Sequence, residues 1–298
     1  MADAGPSDGR PAVAVCMKWV SLRPDVDPLT AEIQTDDRFS GPSPADEAAL
    51  ELALRMADSW GATVVAMTVG PPAGDAMLRI ALACGASQAV RIDPGDCSSG
   101  AGVHGQPLSR EVASALAAVL RTVPGLVDVV CGDWSLDRGS ASVPPFIAHE
   151  LGVAQLCGLV SMTIGETPGS VAAERRLDGG RRERLEVTGR AVLSVEGATA
   201  RLRRASLAGV LAAARASIDV VPFRRIGDVA PKARVVRTAP YRPRARLLDG
   251  PDPKADPRQR VIALTGALSN HTPPQRLVLD PVDAADRILA QLEQWGYR

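Results

Sequence analysis

The sequence predicts an α/β protein: a doubly wound, mostly parallel sheet with a small antiparallel excursion and an extended C-terminal arm that ends in a helix. Three observations carry this. Between residues 12 and 152 four short apolar runs alternate with four helical stretches, three of which stop at a glycine (Gly61, Gly85, Gly152). Past Gly152 the pattern changes to short runs around an Asp178-Gly179-Gly180 turn. From Pro222 to Arg260 the chain carries 7 Pro and 9 Arg with few large apolar residues, a composition for an arm and not for a core.

Taken in order, Ala12–Met17 (AVAVCM) reads as a first buried strand that ends at Lys18. Ser21–Ser40 is polar and broken by prolines. Ser43-Pro44-Ala45-Asp46 then supplies a cap hydroxyl, a proline at the first helical position and an acid three residues on, which starts a helix running to about Trp60. Ala49, Leu52, Ala53, Met56 and Trp60 form its inward stripe. Ala62–Thr68 is the second strand, Asp75–Cys84 a helix, Gln88–Ile92 the third strand, Glu111–Arg121 a helix, Val127–Cys131 the fourth strand and Val143–Leu151 a helix. Leu156–Ile164, Val171–Leu177 and Arg184–Val187 read as strands of the antiparallel excursion, and Ala191–Val195 as one more buried strand. Pro281–Gln294 is a last amphipathic helix with Ala284, Ile288, Leu289 and Leu292 on one face. The domain reading is a disordered N-terminus over 1–10, an α/β domain over 11–221, and the arm with its helix over 222–298.

Composition excludes several classes. The chain has 298 residues with 34 Lys+Arg against 34 Asp+Glu, so its net charge of zero argues against a strongly basic nucleic-acid protein. Aromatics are 3%, which leaves Ala, Val and Leu to fill the core. The first ten residues lack an apolar stretch, and no run approaches a membrane span, so the expected address is the cytoplasm. Five cysteines without a C-x-x-C pair, and three histidines without ligand spacing, argue against a disulfide framework or a zinc site. A G-x-G-x-x-G string at Gly100–Gly105 has neither the strand before it nor the helix after it that a dinucleotide fingerprint needs. There is no Walker loop, no G-x-S-x-G elbow, and no nucleophile with a neighbouring base.

Ligands of open parallel sheets lie at the carboxyl ends of the strands. Four loops qualify: after Cys16, at Ser43–Asp46, around Val69, and Gly132–Val143, which leads into a helix N-terminus with two glycines and three hydroxyls. Main-chain N–H groups there can bind phosphate without lysine. The plain alternative is a connector whose Ser140 and Ser142 merely cap the helix.

Several segments together resemble the β subunit of electron-transfer flavoprotein: AVAVCMKWV, SPADEAALELALRMADSWGA, VVAMTVGPPAGDAMLRIALACGASQAVRI and VDVVCGDWSLDRGSASVPPFIAHELGV. The most specific is Ala173–Ser194, AERRLDGGRRERLEVTGRAVLS, in which Arg190 replaces the expected proline. The resemblance covers about residues 11–221 and implies a Rossmann-like, adenine-nucleotide-binding fold. It implies a non-catalytic electron carrier in a heterodimer, whose α subunit holds most of a shared FAD. A dehydrogenase would be the electron donor and a quinone reductase or similar protein the acceptor, with no nucleic acid and no membrane insertion. Carried over residue by residue, AMP would be bound by Cys16, Ser43, Pro44, Ala45, Asp46, Val69, Gly132, Asp133, Trp134, Ser135, Leu136, Asp137, Arg138, Gly139, Ser140, Ala141, Ser142 and Val143. Partner recognition would fall on Arg203, Arg204, Ser206, Leu207 and Gly209, within Arg203–Ala212, with Leu207 as an apolar anchor. The bland alternative for Leu207 is that it begins a helix and packs inward.

The chain departs from the family where an acid is usual at Gly139, a glutamine at Ser142 and a glycine at Pro144. These departures leave another nucleotide, a second flavin or no ligand as alternatives to AMP. A stand-alone nucleotide-binding module of the universal-stress-protein type is the competing reading; its G-x2-G-x9-G-[ST] motif is not found here. A nucleic-acid arm over 222–260 is disfavoured by the four aspartates among its arginines.

Overall fold

A computed structural model describes residues 9–30, 32–94, 108–222, 250–265 and 276–296. The chain divides into two compact units, Met1–Tyr241 and Arg242–Arg298.

The first unit is built on one nine-stranded sheet. Its strands are β1 (Ala12–Cys16), β2 (Thr63–Val69), β3 (Gln88–Asp93), β4 (Leu126–Gly132), β5 (Ala154–Ile164), β6 (Ser170–Arg176), β7 (Arg182–Thr188), β8 (Ala191–Val195) and β9 (Asp219–Pro222). The spatial order is β7-β6-β5-β8-β4-β1-β2-β3-β9. All neighbours are parallel except β5–β6 and β6–β7. From β1 the chain builds outward through β2 and β3, then returns to place β4 on the other side of β1. This reversal is the switch point at which such sheets bind ligands.

Helix α1 (Pro44–Trp60) starts where the local chemistry predicts. The Ser43 side chain accepts from the Asp46 N–H, and the Asp46 carboxylate accepts from the Ser43 N–H at 3.1 Å. Gly61 closes the helix in a left-handed conformation. The expected stripe of Ala49, Leu52, Ala53, Met56 and Trp60 is buried. α2 (Asp75–Cys84) lies on the same face of the sheet, while α3 (Ser109–Leu120) and α4 (Val143–Leu151) cover the other. The alternation of β1 shows the two layers: Val13 and Val15 point to the α1 side, Ala14 and Cys16 to the α3–α4 side.

Two features differ from the sequence reading, and the place of the last buried strand in the sheet, on which the sequence made no statement, is added to it. β5 is not confined to the antiparallel excursion: its first half pairs parallel with β8, which joins it to the main sheet. β8, buried at every position, is inserted between β4 and β5. Arg203–Ala212 is not a loop throughout, because α5 (Leu207–Arg215) begins within it, and β9 then adds a strand beside β3. The Asp178–Gly180 turn does join β6 to β7, with Gly179 and Gly180 at positive φ. In the second unit α6 (Pro257–Thr265) and α7 (Pro281–Gln294) are helical, and the Asp280 side chain caps α7 by accepting from the Val282 and Asp283 N–H groups. Most of the arm, the glycine string at 100–105 and Cys97 lie outside the described residues. Among the described residues no helix is long and apolar enough to cross a membrane.

Candidate functional site

At the carboxyl end of the sheet the chain encloses a cleft of about 300 Å³. Its floor is the ends of β1 and β4, Cys16 and Cys131 with Gly132. One wall is the β4–α4 loop and the start of α4; another is Val69-Gly70-Pro71 after β2; a third is Val112 and Leu116 of α3. Of the residues carried over from the family pattern, Cys16, Asp46, Val69, Gly132, Asp133, Trp134, Ser135, Asp137, Arg138, Ser140, Ala141, Ser142 and Val143 line this cleft. Ser43, Pro44, Ala45, Leu136 and Gly139 do not line it. Ser43 instead locks Asp46, donating its hydroxyl to Asp46 Oδ2 at 2.7 Å.

Lys18, Trp19 and the inner face of α3 also join the wall. Lys18 belongs to the strand-end loop after Cys16 that the sequence singles out, but its role is not marked there, and nothing local marks Trp19. Lys18 Nζ binds Asp137 Oδ1 at 2.8 Å and Oδ2 at 2.6 Å, a pairing 119 residues apart in sequence. The α3 signal was available in principle: Val112 and Leu116 lie four apart on one helix face.

The carboxylates respond differently to their surroundings. Burial pushes the Asp46 carboxyl up to about 6, against the hydrogen bonds from Ser43 and the Lys18 backbone. Burial and then the nearby Glu196 raise Asp133. Burial alone would raise Asp137, but the hydrogen bonds from Lys18 and Ser135 outweigh it and hold Asp137 below its usual range. The cleft therefore carries Lys18 and Arg138 against three aspartates, two of them disfavoured in their ionised form.

The structure explains one departure from the family pattern. Gly139 has φ +57°, and a Cβ on it would meet Trp134 Nε1 at 2.5 Å. The indole of Trp134 takes the space an acidic side chain would need, so glycine and tryptophan go together. The α4 N-terminus is poor in donors. Pro144 and Pro145 occupy its second and third positions and have no N–H. Ser142 makes no side-chain cap; its hydroxyl is 2.8 Å from that of Ser140. Ala141, at φ +50°, is the one non-glycine residue with positive φ among the described residues. A left-handed residue ahead of an α-helical one turns successive N–H groups to one side, a main-chain cradle for an anion.

The five residues carried over for partner recognition separate on inspection. Arg203 is engaged inside the protein: its Nε lies 3.0 Å from Glu51 Oε2 and its Nη1 3.0 Å from Asp58 Oδ2. Ser206 caps α5, accepting from the Gly209 N–H at 3.0 Å. Gly209 permits close packing on α2, since a Cβ there would meet the Ala83 carbonyl oxygen at 2.5 Å. Arg204 is exposed, and Leu207 is 76% exposed. Leu207 does begin a helix, yet it does not pack inward. With Val210 and Leu211, three and four residues on, it forms an exposed apolar ridge. Ala213 anchors the other face, and Arg79 donates to its carbonyl at 2.6 Å.

The chain is similar in sequence to known proteins. The electron transfer flavoprotein domain pattern matches residues 33–224. Protein FixA of Azorhizobium caulinodans is 32% identical over 212 residues, covering 70% of this chain and 74% of that protein. The electron transfer flavoprotein subunit beta of Mycobacterium tuberculosis is 33% identical over 187 residues, covering 61% of this chain and 66% of that protein. Protein FixA of Azotobacter vinelandii aligns over 275 residues, 87% of this chain and 95% of that protein, at 28% identity.

Proposed function

The chain belongs to the electron-transfer flavoprotein β-subunit family, and from that premise we propose that it is one half of a heterodimer carrying electrons from a dehydrogenase to a downstream acceptor such as a quinone reductase. FAD, held mainly by the α subunit, supplies the redox chemistry. This chain contributes the docking surface, a nucleotide cleft, and no catalytic residue of its own. The cytoplasm is its place.

The observation that carries this reading is the cleft at the β1/β4 switch point. Loops far apart in sequence converge there, and thirteen of the eighteen residues the family pattern assigns to AMP line it. The fit is to a mononucleotide. Val112, Leu116 and Val69 offer an apolar bed for a base, and the exposed Trp134 indole a stacking face. The Lys18–Asp137 pair offers a carboxylate for a ribose hydroxyl, and the Ala141–Val143 bend offers N–H groups for a phosphate. The same arrangement keeps the site independent of lysine, since Lys18 is already held by Asp137.

The ridge of Leu207, Val210 and Leu211 is the docking surface. Redox encounters are small, below ~1,200 Å², and a few central apolar residues dominate such patches. Purification from the native host tests the reading. A FAD-containing partner of similar size should co-purify, and the denatured complex should release FAD and AMP. Recovery of the chain alone, without flavin, would instead favour the stand-alone nucleotide-binding module.

A further inference from the structure

Two thiols meet at the floor of the cleft: the family pattern gives Cys16 to the nucleotide and assigns Cys131 no role, and neither sulfur has a part in electron transfer. Cys16 ends β1, Cys131 lies near the end of β4, and these parallel neighbours pair Cys16 directly with Cys131. In-register residues of adjacent strands point to the same face, and both belong to the buried cluster beneath α3 and α4. Both line the cleft, at 8% and 3% exposure. Cys16, Cys84, Cys131 and Cys157 are all free thiols.

We propose that Cys16 and Cys131 form a dithiol modification site, which a hydroperoxide entering the cleft converts reversibly to a disulfide. Adjacent strands place paired Cα atoms about 4.8 Å apart, within the ~4.4–6.8 Å that disulfides span. The paired Cβ atoms lie at a similar separation, slightly beyond the usual ~3.5–4.5 Å. The bond therefore needs a small approach of the two strand ends, and a strained disulfide of this kind is readily reduced. Cys157 is excluded as the partner because β8 stands between, with Ser194 in register beside Cys131.

The order of reaction follows from the surroundings. The neighbouring Cys16 side chain and then burial hold the Cys131 thiol well above its usual range, so Cys131 is the poorer first nucleophile. The Cys16 thiolate attacks the peroxide oxygen; the O–O bond breaks, an alcohol or water leaves, and Cys16 becomes a sulfenic acid. The Cys131 sulfur then attacks the Cys16 sulfur, the S–O bond breaks and water leaves with the thiol proton. In sum, two thiols and one hydroperoxide give one disulfide, one alcohol and one water. The two sulfurs lose two electrons and the peroxide gains them. Exchange with a small dithiol restores the thiols.

Drawing the strand ends together displaces the cleft residues that follow them, Met17, Lys18 and Gly132. Disulfide and nucleotide should then oppose each other, and by linkage equally in both directions. This coupling rests on the nucleotide reading above; the dithiol does not.

The test uses the full chain in its purified complex, or the chain alone where no partner is recovered. It is treated with hydrogen peroxide with and without saturating AMP, and thiol pairing is mapped by peptide mass spectrometry under non-reducing conditions. The expected result is a Cys16–Cys131 link, reversed by dithiothreitol and absent in Cys16→Ser, with AMP slowing its formation at least tenfold. Should the serine variant fold poorly, the wild-type map decides alone. Thiols that stay reduced, sulfinic acid at Cys16 without a bridge, or a bridge to Cys157 would overturn the proposal. A Cys16–Cys131 link that forms equally fast with and without AMP upholds the dithiol and counts against the nucleotide.

Discussion

Replacing Arg203 by alanine should destabilise the fold without touching the docking ridge four residues away. Glu51 on α1 has a side chain only 6% exposed, so its charge depends on partners. Arg203 supplies a side-chain contact at 3.0 Å to Oε2 and a longer one at 3.4 Å to Oε1, and its own backbone N–H adds another at 3.0 Å. Arg55 supplies one at 2.8 Å. Burial alone would raise the Glu51 carboxyl, but the bonds from Arg203 and Arg55 outweigh it and hold it below its ordinary value. Breaking a buried pair costs about 3–5 kcal/mol. Here Arg55 and the backbone N–H remain, and Arg203 is 34% exposed, so the expected loss is roughly 2 kcal/mol. For a chain of this size that lowers Tm by about 4–8 °C.

The sign of its pH dependence is fixed. A depressed carboxylate stabilises the fold above its unfolded pKa, and that contribution is lost as pH falls through the lower folded value. In Arg203→Ala the guanidinium contacts are gone while those from Arg55 and the backbone N–H remain, so burial is opposed less and the carboxyl rises from its wild-type value. The deficit should therefore be largest at pH 7–8 and shrink only as pH falls below the ordinary carboxylate range, through the lowered folded value of Glu51. Urea unfolding of wild type and variant at several pH values measures this. A deficit under ~0.5 kcal/mol at neutral pH, or one that does not shrink as pH falls below the ordinary carboxylate range, would refute the reasoning.

Leu207→Ala should cost less than ~0.7 kcal/mol, because only about a quarter of a full Leu burial is at stake. It should also slow electron transfer from the cognate dehydrogenase about tenfold at unchanged flavin content; a loss above ~2 kcal/mol, typical of core leucines, would remove Leu207 from the docking surface. Asp128→Asn should stabilise the fold at pH 8. Burial pushes the Asp128 carboxyl up to about 6 and leaves Oδ2 without a hydrogen-bond partner, while Oδ1 accepts from the Ala191 N–H at 2.9 Å. A raised carboxyl costs stability as pH rises from about 4 through 6, so the gain, roughly 1–2 kcal/mol, should appear in that window and vanish below pH 4 in thermal melts. Gly139→Asp should collide with Trp134 at a backbone φ of +57°, and isothermal titration should show AMP affinity at least tenfold lower than wild type.

Much of the architecture was written locally. Ser43, Pro44, Asp46 and Gly61 define α1 through contacts within three or four residues of each end, so its limits could be read directly. The glycines that close α2 and α4, Gly85 and Gly152, and the buried runs of β1 and β8 could be read in the same local way. The cleft loops were legible because a parallel sheet sends its ligands to strand ends, and the chain shows which residues end each strand.

What the tertiary structure alone decided was how distant segments meet. Whether β5 belongs to the excursion or to the main sheet depends on its parallel pairing with β8, some 37 residues on, and no pattern within β5 encodes its neighbour. Lys18 reads only as the end of the first strand until Asp137 is found beside it, 119 residues away. Arg203 reads as a docking residue until Glu51, 152 residues away, takes its guanidinium inward. Leu207 reads equally as core or surface until α5 is seen to bury Ala213 on the opposite face. Capping, turns and burial period act over a few residues and leave their mark in sequence. Ion pairing, sheet order and the facing of a helix are settled by which surfaces the fold brings together.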